Sequence, residues 1–204
     1  NVGDTVLMIQ MKGAAIDSTN TAAFGNITNY TSAGNYEFNY IKSITGNIIE
    51  LKNTVSRSYE IPAGKVQLIR APYFQNFTAN TTVTCLPWDG SKGGVVVINA
   101  ADSITLNGNI DASGKGFRGG NDPVTIPPNY FCSENQFFYP ANPDLASEKG
   151  ESIAIISAAK SFGKGAPANG GGGGNSHNSG GGGGSNAGAG GFGGYQLESS
   201  PCNG

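Results

Sequence analysis

Histidine, tryptophan and charge are scarce in this sequence. Its 204 residues hold one histidine, one tryptophan and 13% charged side chains, with a formal net charge of −2. So weak and mixed a charge argues against an electrostatic nucleic-acid or membrane surface. The single histidine, His177, has no carboxylate within ten residues to orient it, which argues against a Ser-His-Asp device. The three cysteines, Cys85, Cys132 and Cys202, form no Cys-x-x-Cys pair, so neither zinc nor thioredoxin-like chemistry is expected. No apolar run approaches the roughly 20 residues that span a bilayer, and no membrane span is expected in this stretch. No signal peptide opens the chain, and the expectation is a processed protein or an excerpt of a larger one. Lys164 lies between Gly163 and Gly165, but no Gly-Lys-Ser/Thr follows at the spacing a phosphate-binding loop requires.

Glycine, by contrast, is abundant and concentrated. Of 33 glycines, 17 lie between Gly163 and Gly194. Gly170 to Gly174 and Gly180 to Gly184 are unbroken runs of five, joined by Asn175-Ser176-His177-Asn178-Ser179, and a looser run from Gly188 to Gly194 follows. Such a tract reads either as a flexible linker or as a bundle of extended, left-handed helices with a rise of ~3.1 Å per residue. Extended helices have no internal hydrogen bonds, so without side chains to hold neighbours apart they can pair their backbone groups with one another. Equal run lengths and a polar, turn-forming joint favour the bundle. Leucine at Gly172 or Gly182 is then expected to disrupt folding.

The remainder reads as strands. Val6 to Met11 is a buried-type run, Tyr36, Phe38 and Tyr40 alternate with polar residues, and Gly46-Asn47 makes a tight turn before Ile48 to Leu51. Val66 and Leu68 alternate until Ala71-Pro72 ends the strand. The spacing predicts an all-β fold: a small barrel or sandwich over 1–78 with the aromatic stripe in its core, then a second domain over 79–204. There Val95 to Ile98, a turn at Ala100 to Ser103, and Ile104, Leu106 and Ile110 resemble short β-helix layers. Ser152 to Ser157 reads as a strand leading into the glycine tract, whose polyglycine helices would cover about 163–194.

A set of local motifs carries a resemblance. Gly3-Asp4 with Val6-Leu7, Gln67 to Tyr73, Pro87-Trp88-Asp89-Gly90, Gly93-Gly94-Val95, and Ile110 to Gly120 ahead of polyglycine together resemble a glycine-rich module of large, Bacteroidota-like cell-surface adhesins and of some phage tail fibres. The polyglycine tract is also similar to those of phage tip adhesins, certain animal receptor ectodomains and a glycine-rich antifreeze protein. The resemblance implies an extracellular, cell-surface, non-enzymatic role in attachment or scaffolding, without a cofactor. It implies as partners a surface glycan, a protein receptor or other subunits of a surface assembly. A phage receptor-binding module and a β-helical carbohydrate-active enzyme are the alternatives.

Few residues present themselves as sites. The loop Asn175, Ser176, His177, Asn178 and Ser179 would sit at the end of a glycine hairpin, where amide, hydroxyl and imidazole groups could recognise a ligand. Cys132 and Cys202 bracket a proline-rich excursion and the glycine tract, and a bridge between them would contribute on the order of 4 kcal/mol; Cys85 with Cys132 is the other pairing. Asp89, Asp102 and Asp111 could approach one another as a glycosidase pair would, although an aspartate at a turn usually caps its own backbone. Calcium at those turns is conceivable, but no ligand set can be read, and no metal site is assigned. Asn26, Asn29, Asn76 and Asn80 head N-glycosylation triplets. Thr5, Ser18 and Ser103 lie in Asp-Ser/Thr-apolar triads that resemble O-glycosylation acceptors of exported Bacteroidota proteins.

Overall fold

β1 (Thr5–Gln10) is the hub of a four-stranded sheet ordered β5-β4-β1-β6. It pairs antiparallel with β4 (Tyr36–Thr45) on one side and β6 (Val66–Arg70) on the other. Gly46, at a φ of 59° that side chains disfavour, turns β4 into β5 (Ile48–Leu51) as the sequence predicts. The chain is described in a computed structural model over residues 1–121, 136–140, 146–175, 179–186 and 188–194. The fold is all-β; the only helical element among the described residues is a 3-10 turn at Ala158–Lys160. None is a helix long and apolar enough to cross a membrane.

The chain divides into two compact units. Asn1–Met11 with Ser32–Gly116 make the first; Lys12–Thr31 and the described residues from Phe117 onward make the second. Within the first, both faces of β1 are covered, with Thr5, Val6, Leu7 and Gln10 all buried. Buried amides do much of the fastening. Asn39 accepts from Asn53 N at 3.0 Å and donates to Asn53 O at 2.9 Å, while Gln67 makes the same two-way contact with Gly93 at 2.9 and 3.0 Å. Gln10 Oε1 accepts from Glu60 N at 2.8 Å. Each of these bonds holds an irregular loop to a strand and supplies a partner for a backbone group that has no place in a ladder.

Three expectations from the sequence are corrected here. The aromatic stripe is not core: Tyr36, Phe38 and Tyr40 leave about half their surface in water, whereas Asn39 and Ile41 on the opposite face are buried. The alternation was legible; which face it packed was not, because a hydrogen-bonded asparagine occupies the inner position. The expected turn at Ala100 to Ser103 lies inside β8 (Asn99–Leu106), and Val95 to Ile98 is not a strand. β8 runs parallel to β7 (Tyr73–Ala79), and the pairing gives its turn-like polar residues partners. Ser103 Oγ donates to Asn76 Oδ1 at 2.6 Å, Gln75 Nε2 donates to Asp102 at 2.6 Å, and Asn107 Nδ2 donates to Asn80 Oδ1 at 2.9 Å. Tertiary pairing overrides local turn preference there. Finally, Ser152 to Ser157 is not a strand; Ala154 makes an isolated bridge to Ala14, and Ile153 N donates to the side chain of Asn169.

Among its described residues the second unit contains two short strands, β2 (Ala15–Ile16) and β3 (Ile27–Asn29), and the 3-10 turn at Ala158–Lys160. Its acid-sensitive fastening is Glu151. Arg118 donates to both of its carboxylate oxygens, at 2.9 and 3.0 Å, and Lys12 Nζ lies 3.7 Å away. Burial raises the Glu151 carboxyl, but the bonds from Arg118 and the charge of Lys12 outweigh it and hold the group at about 2. A carboxyl depressed on folding stabilises above its unfolded value and loses that contribution as pH falls through its folded value. Thermal melts should therefore show the Glu151 contribution intact above pH 4.5 and lost on approach to pH 2, and Glu151→Gln should flatten that window.

Candidate functional site

The second unit is built around its first glycine run. Gly170 to Gly174 are all buried, whereas most of Gly180 to Gly184 and Gly188 to Gly194 is exposed. A Cβ at any of Gly170 to Gly174 would strike neighbouring backbone, and the neighbour changes in rotation. Gly170 faces the Gly150 carbonyl, Gly171 that of Gly182, and Gly172 that of Lys164; Gly173 then returns to the first neighbour at Ser147, and Gly174 to the second at Ser179. The second run repeats the pattern, with Gly181 against Gly172 O and Gly184 against Asn169 O. Gly190 and Gly193 of the third meet Gly183 O and Gly180 O. In each run the direction of the missing side chain recurs at every third residue.

The backbone groups of these segments bond sideways. Gly173 N donates to Gly163 O, Gly150 N to Gly171 O, Ser147 N to Gly174 O and Gly183 N to Gly191 O, each at 2.9 Å; Gly194 N donates to Gly180 O at 3.0 Å. This is how side-chain-free chain without internal hydrogen bonds satisfies its polar groups.

One side chain penetrates the packing. Lys149 is 4% exposed, and its ammonium donates to the carbonyls of Phe137 at 2.7 Å and of Gly163 and Gly165 at 2.6 Å each. It also lies 4.7 Å from the centre of the Phe24 ring. Its three hydrogens are thus matched by three oxygens, with a π-face beside them. Burial pushes the group down to about 7. Nothing in the sequence signalled this lysine, because its partners lie 12 to 16 residues away and are backbone atoms of unremarkable positions.

Beside this anchor is a cleft of about 510 Å³, within the size range of small-ligand pockets. Among the described residues its walls include Phe24, Phe137, Phe192, Asn26, Ser185 and Lys164, together with Ala22, Ala166, Ala168 and Ala189 and glycine backbone from all three runs. The Lys164 ammonium lies 5.0 Å from the centre of the Phe137 ring. Phe192 is fully exposed. No protein-family model, curated protein or solved structure matches this chain.

The residues flagged from sequence are distributed differently. Asn175 is 1% exposed; its Oδ1 accepts from Lys164 N at 2.7 Å and its Nδ2 donates to Gln136 O at 2.5 Å, so it fastens the end of the first run from inside. Ser179 is half-buried, while Ser176, His177 and Asn178 lie outside the described residues. So do Cys132 and Cys202, and with them the proposed disulfide; Cys85 is a half-buried free thiol. Thr5 is buried in β1, which leaves Ser18 and Ser103 as the solvent-exposed hydroxyls of the three proposed glycan acceptors. Ser18 receives a bond from Lys160 Nζ at 2.9 Å.

Two of the three aspartates are bonded by the backbone of their own turns, whereas Asp102 accepts from Gln75 across the β7–β8 pairing. Asp89 Oδ1 accepts from Ser91 N and Lys92 N at 2.9 Å, and Asp111 Oδ1 accepts from Ser113 N at 2.8 Å. Those backbone bonds hold both carboxyls below the usual range, the opposite of what a general acid needs. Among the described residues, no three of His, Cys, Asp and Glu are grouped as metal ligands.

Proposed function

We propose that this chain is a non-enzymatic, extracellular surface module of a larger adhesin or filament protein, which attaches to a surface glycan or protein receptor or scaffolds a surface assembly. The observation that supports this reading is the rotation of blocked Cβ positions along the buried run Gly170 to Gly174, with a repeat of three. Three residues per turn is the geometry of a left-handed extended helix. On that reading the three runs pack as a polyglycine-II bundle, and β7 and β8, stacked at a 27-residue offset, are two layers of a short β-helix. A rod of bare backbone is stiff, since each run is bonded to its neighbours, yet it has few side chains with which to discriminate a partner. Recognition then belongs to what the rods carry: the joint after Asn175 and the aromatic cleft.

Antibodies against the chain should label intact cells of the organism that makes it, and labelling that requires permeabilised cells would sink the surface reading. The contribution of the joint is testable without touching Asn175, which is structural. Replacing Ser176-His177-Asn178 by Ala-Gly-Ala should leave the melting temperature unchanged and abolish adhesion of protein-coated beads to the native surface. Unchanged adhesion would remove the joint from the site.

A further inference from the structure

β8 carries the most exposed edge of the first unit. From Ala101 to Asn107 every residue is exposed, Ile104 at 48% and Leu106 at 47%, whereas its partner β7 has Phe77 half-buried and Ala79 buried. Among the described residues no third strand joins the two. Parallel strands are ordinarily covered, and a pair standing alone is marginal, so this one is short of a neighbour. Natural edges are blunted by lysine, proline or short length. β8 is eight residues long and has neither lysine nor proline.

The register fixes which backbone groups this edge offers. Ala79 lies opposite Leu106, and its carbonyl accepts from Asn107 N at 2.9 Å. In a parallel ladder the polar groups of Ala79 address the two residues that flank Leu106, so the N–H and C=O of Leu106 itself point away from β7. Alternation along the strand gives Ile104 the same outward direction and turns Thr105 toward β7.

A second copy of β8 matches this edge. Run antiparallel about a twofold axis at Ile104, the strands set Ile104 opposite Ile104, Ser103 opposite Thr105 and Asp102 opposite Leu106. Apolar meets apolar and hydroxyl meets hydroxyl, both favourable cross-strand pairs, and Asp102, the one acidic side chain of the strand, meets no like charge. Head-to-tail stacking of β8 on the β7 of the next copy fails on size. Each added pair of strands would advance such a stack by only ~10 Å, whereas a unit of about a hundred residues has a radius of gyration of about 13 Å.

We propose that two copies of this chain associate through antiparallel pairing of their β8 edges, centred on Ile104, which turns two parallel pairs into one four-stranded sheet ordered β7-β8-β8-β7. The proposal goes beyond the reading of the chain as a surface module, because it depends on β8 alone. A contact of one short strand is smaller than a permanent interface, so the dimer forms as concentration rises.

Amide hydrogen exchange in the full chain, followed by NMR at micromolar and at millimolar concentration, tests the pairing. The amides of Ile104 and Leu106 should slow at least tenfold in the concentrated sample, while that of Thr105, which faces β7, keeps its rate. Sedimentation should show monomer and dimer and nothing larger. Ile104→Lys and Ile104→Glu, both at an exposed side chain, each set like charges face to face across the axis. Each variant should keep the parental melting temperature and stay monomeric where the parent is dimeric, and an equimolar mixture of the two should dimerise again, because lysine then faces glutamate. A parent that stays monomeric at every concentration, assembly that continues past the dimer, or a mixture no more dimeric than either variant alone would each overturn the pairing.

Discussion

Gly173→Ala will destabilise the glycine-rich unit by about 3 kcal/mol or prevent it from folding, whereas Gly182→Ala will leave it as stable as the parent or up to about 1 kcal/mol more stable. The two glycines look alike in the sequence, each inside a run of five. At Gly173 a methyl group would sit on the Ser147 carbonyl, with Glu148 O at 3.0 Å, and both are backbone atoms held by their own bonds. Ser147 N donates to Gly174 O, and Gly163 N to Ser147 O, so the obstacle cannot retreat without breaking the lateral pairing. At Gly182 the nearest atoms would be Gly191 O at 3.4 Å and Gly193 N at 3.6 Å, ordinary contact distances. Neither position has the left-handed φ that penalises a side chain, so the contrast isolates space from conformation. Alanine also narrows the unfolded ensemble, which favours folding by roughly 0.4–1 kcal/mol wherever the methyl fits. Differential scanning calorimetry of the two variants decides the matter; equal melting temperatures would mean that the first run is not closely packed.

That contrast marks where sequence reasoning reached and where it stopped. Run lengths and composition were enough to suggest packed glycine chains, the Gly46 turn followed from local pattern, and β1 lies one residue earlier at each end than the run Val6 to Met11. The face on which Tyr36, Phe38 and Tyr40 lie did not, because a period of two is symmetrical between inside and outside until a partner such as Asn53 fixes which side is buried. The expected strand at Val95 and turn at Ala100 failed for a related reason: local preference is weak beside a parallel partner that offers Asp102 and Ser103 their own hydrogen bonds. Asn175 looked like a displayed loop residue and is an internal clamp. Its neighbourhood is set by Lys164 N and Gln136 O, eleven and thirty-nine residues away, and no local signal announces either.

Lys149→Met will lower the stability of the same unit by about 3 kcal/mol, a fall in melting temperature of roughly 6–12 °C for a chain of this size. Methionine matches the length of the lysine stem and removes only the donors and the charge. Phe137 O and Gly163 O would keep a backbone donor each, from Gly165 N and Gly173 N, but Gly165 O would lose the ammonium that satisfies it. An unmade bond to a buried carbonyl costs about 1–3 kcal/mol, and weakened pairing at the other two adds to it; relief of the buried charge offsets part of the sum. The parent should also show a pH signature that the variant lacks. Burial holds the folded ammonium at about 7 against 10.5 when unfolded. Below pH 7 both states are charged and the burial cost is constant. Between 7 and 10.5 the unfolded chain binds a proton that the folded chain does not, so this group makes stability rise with pH. Urea unfolding of parent and Lys149→Met at pH 6.5, 8 and 9.5 reads the difference directly. A difference in stability between the two that stays constant across the three pH values would mean that Lys149 keeps its proton, bound by its three carbonyls, throughout that range.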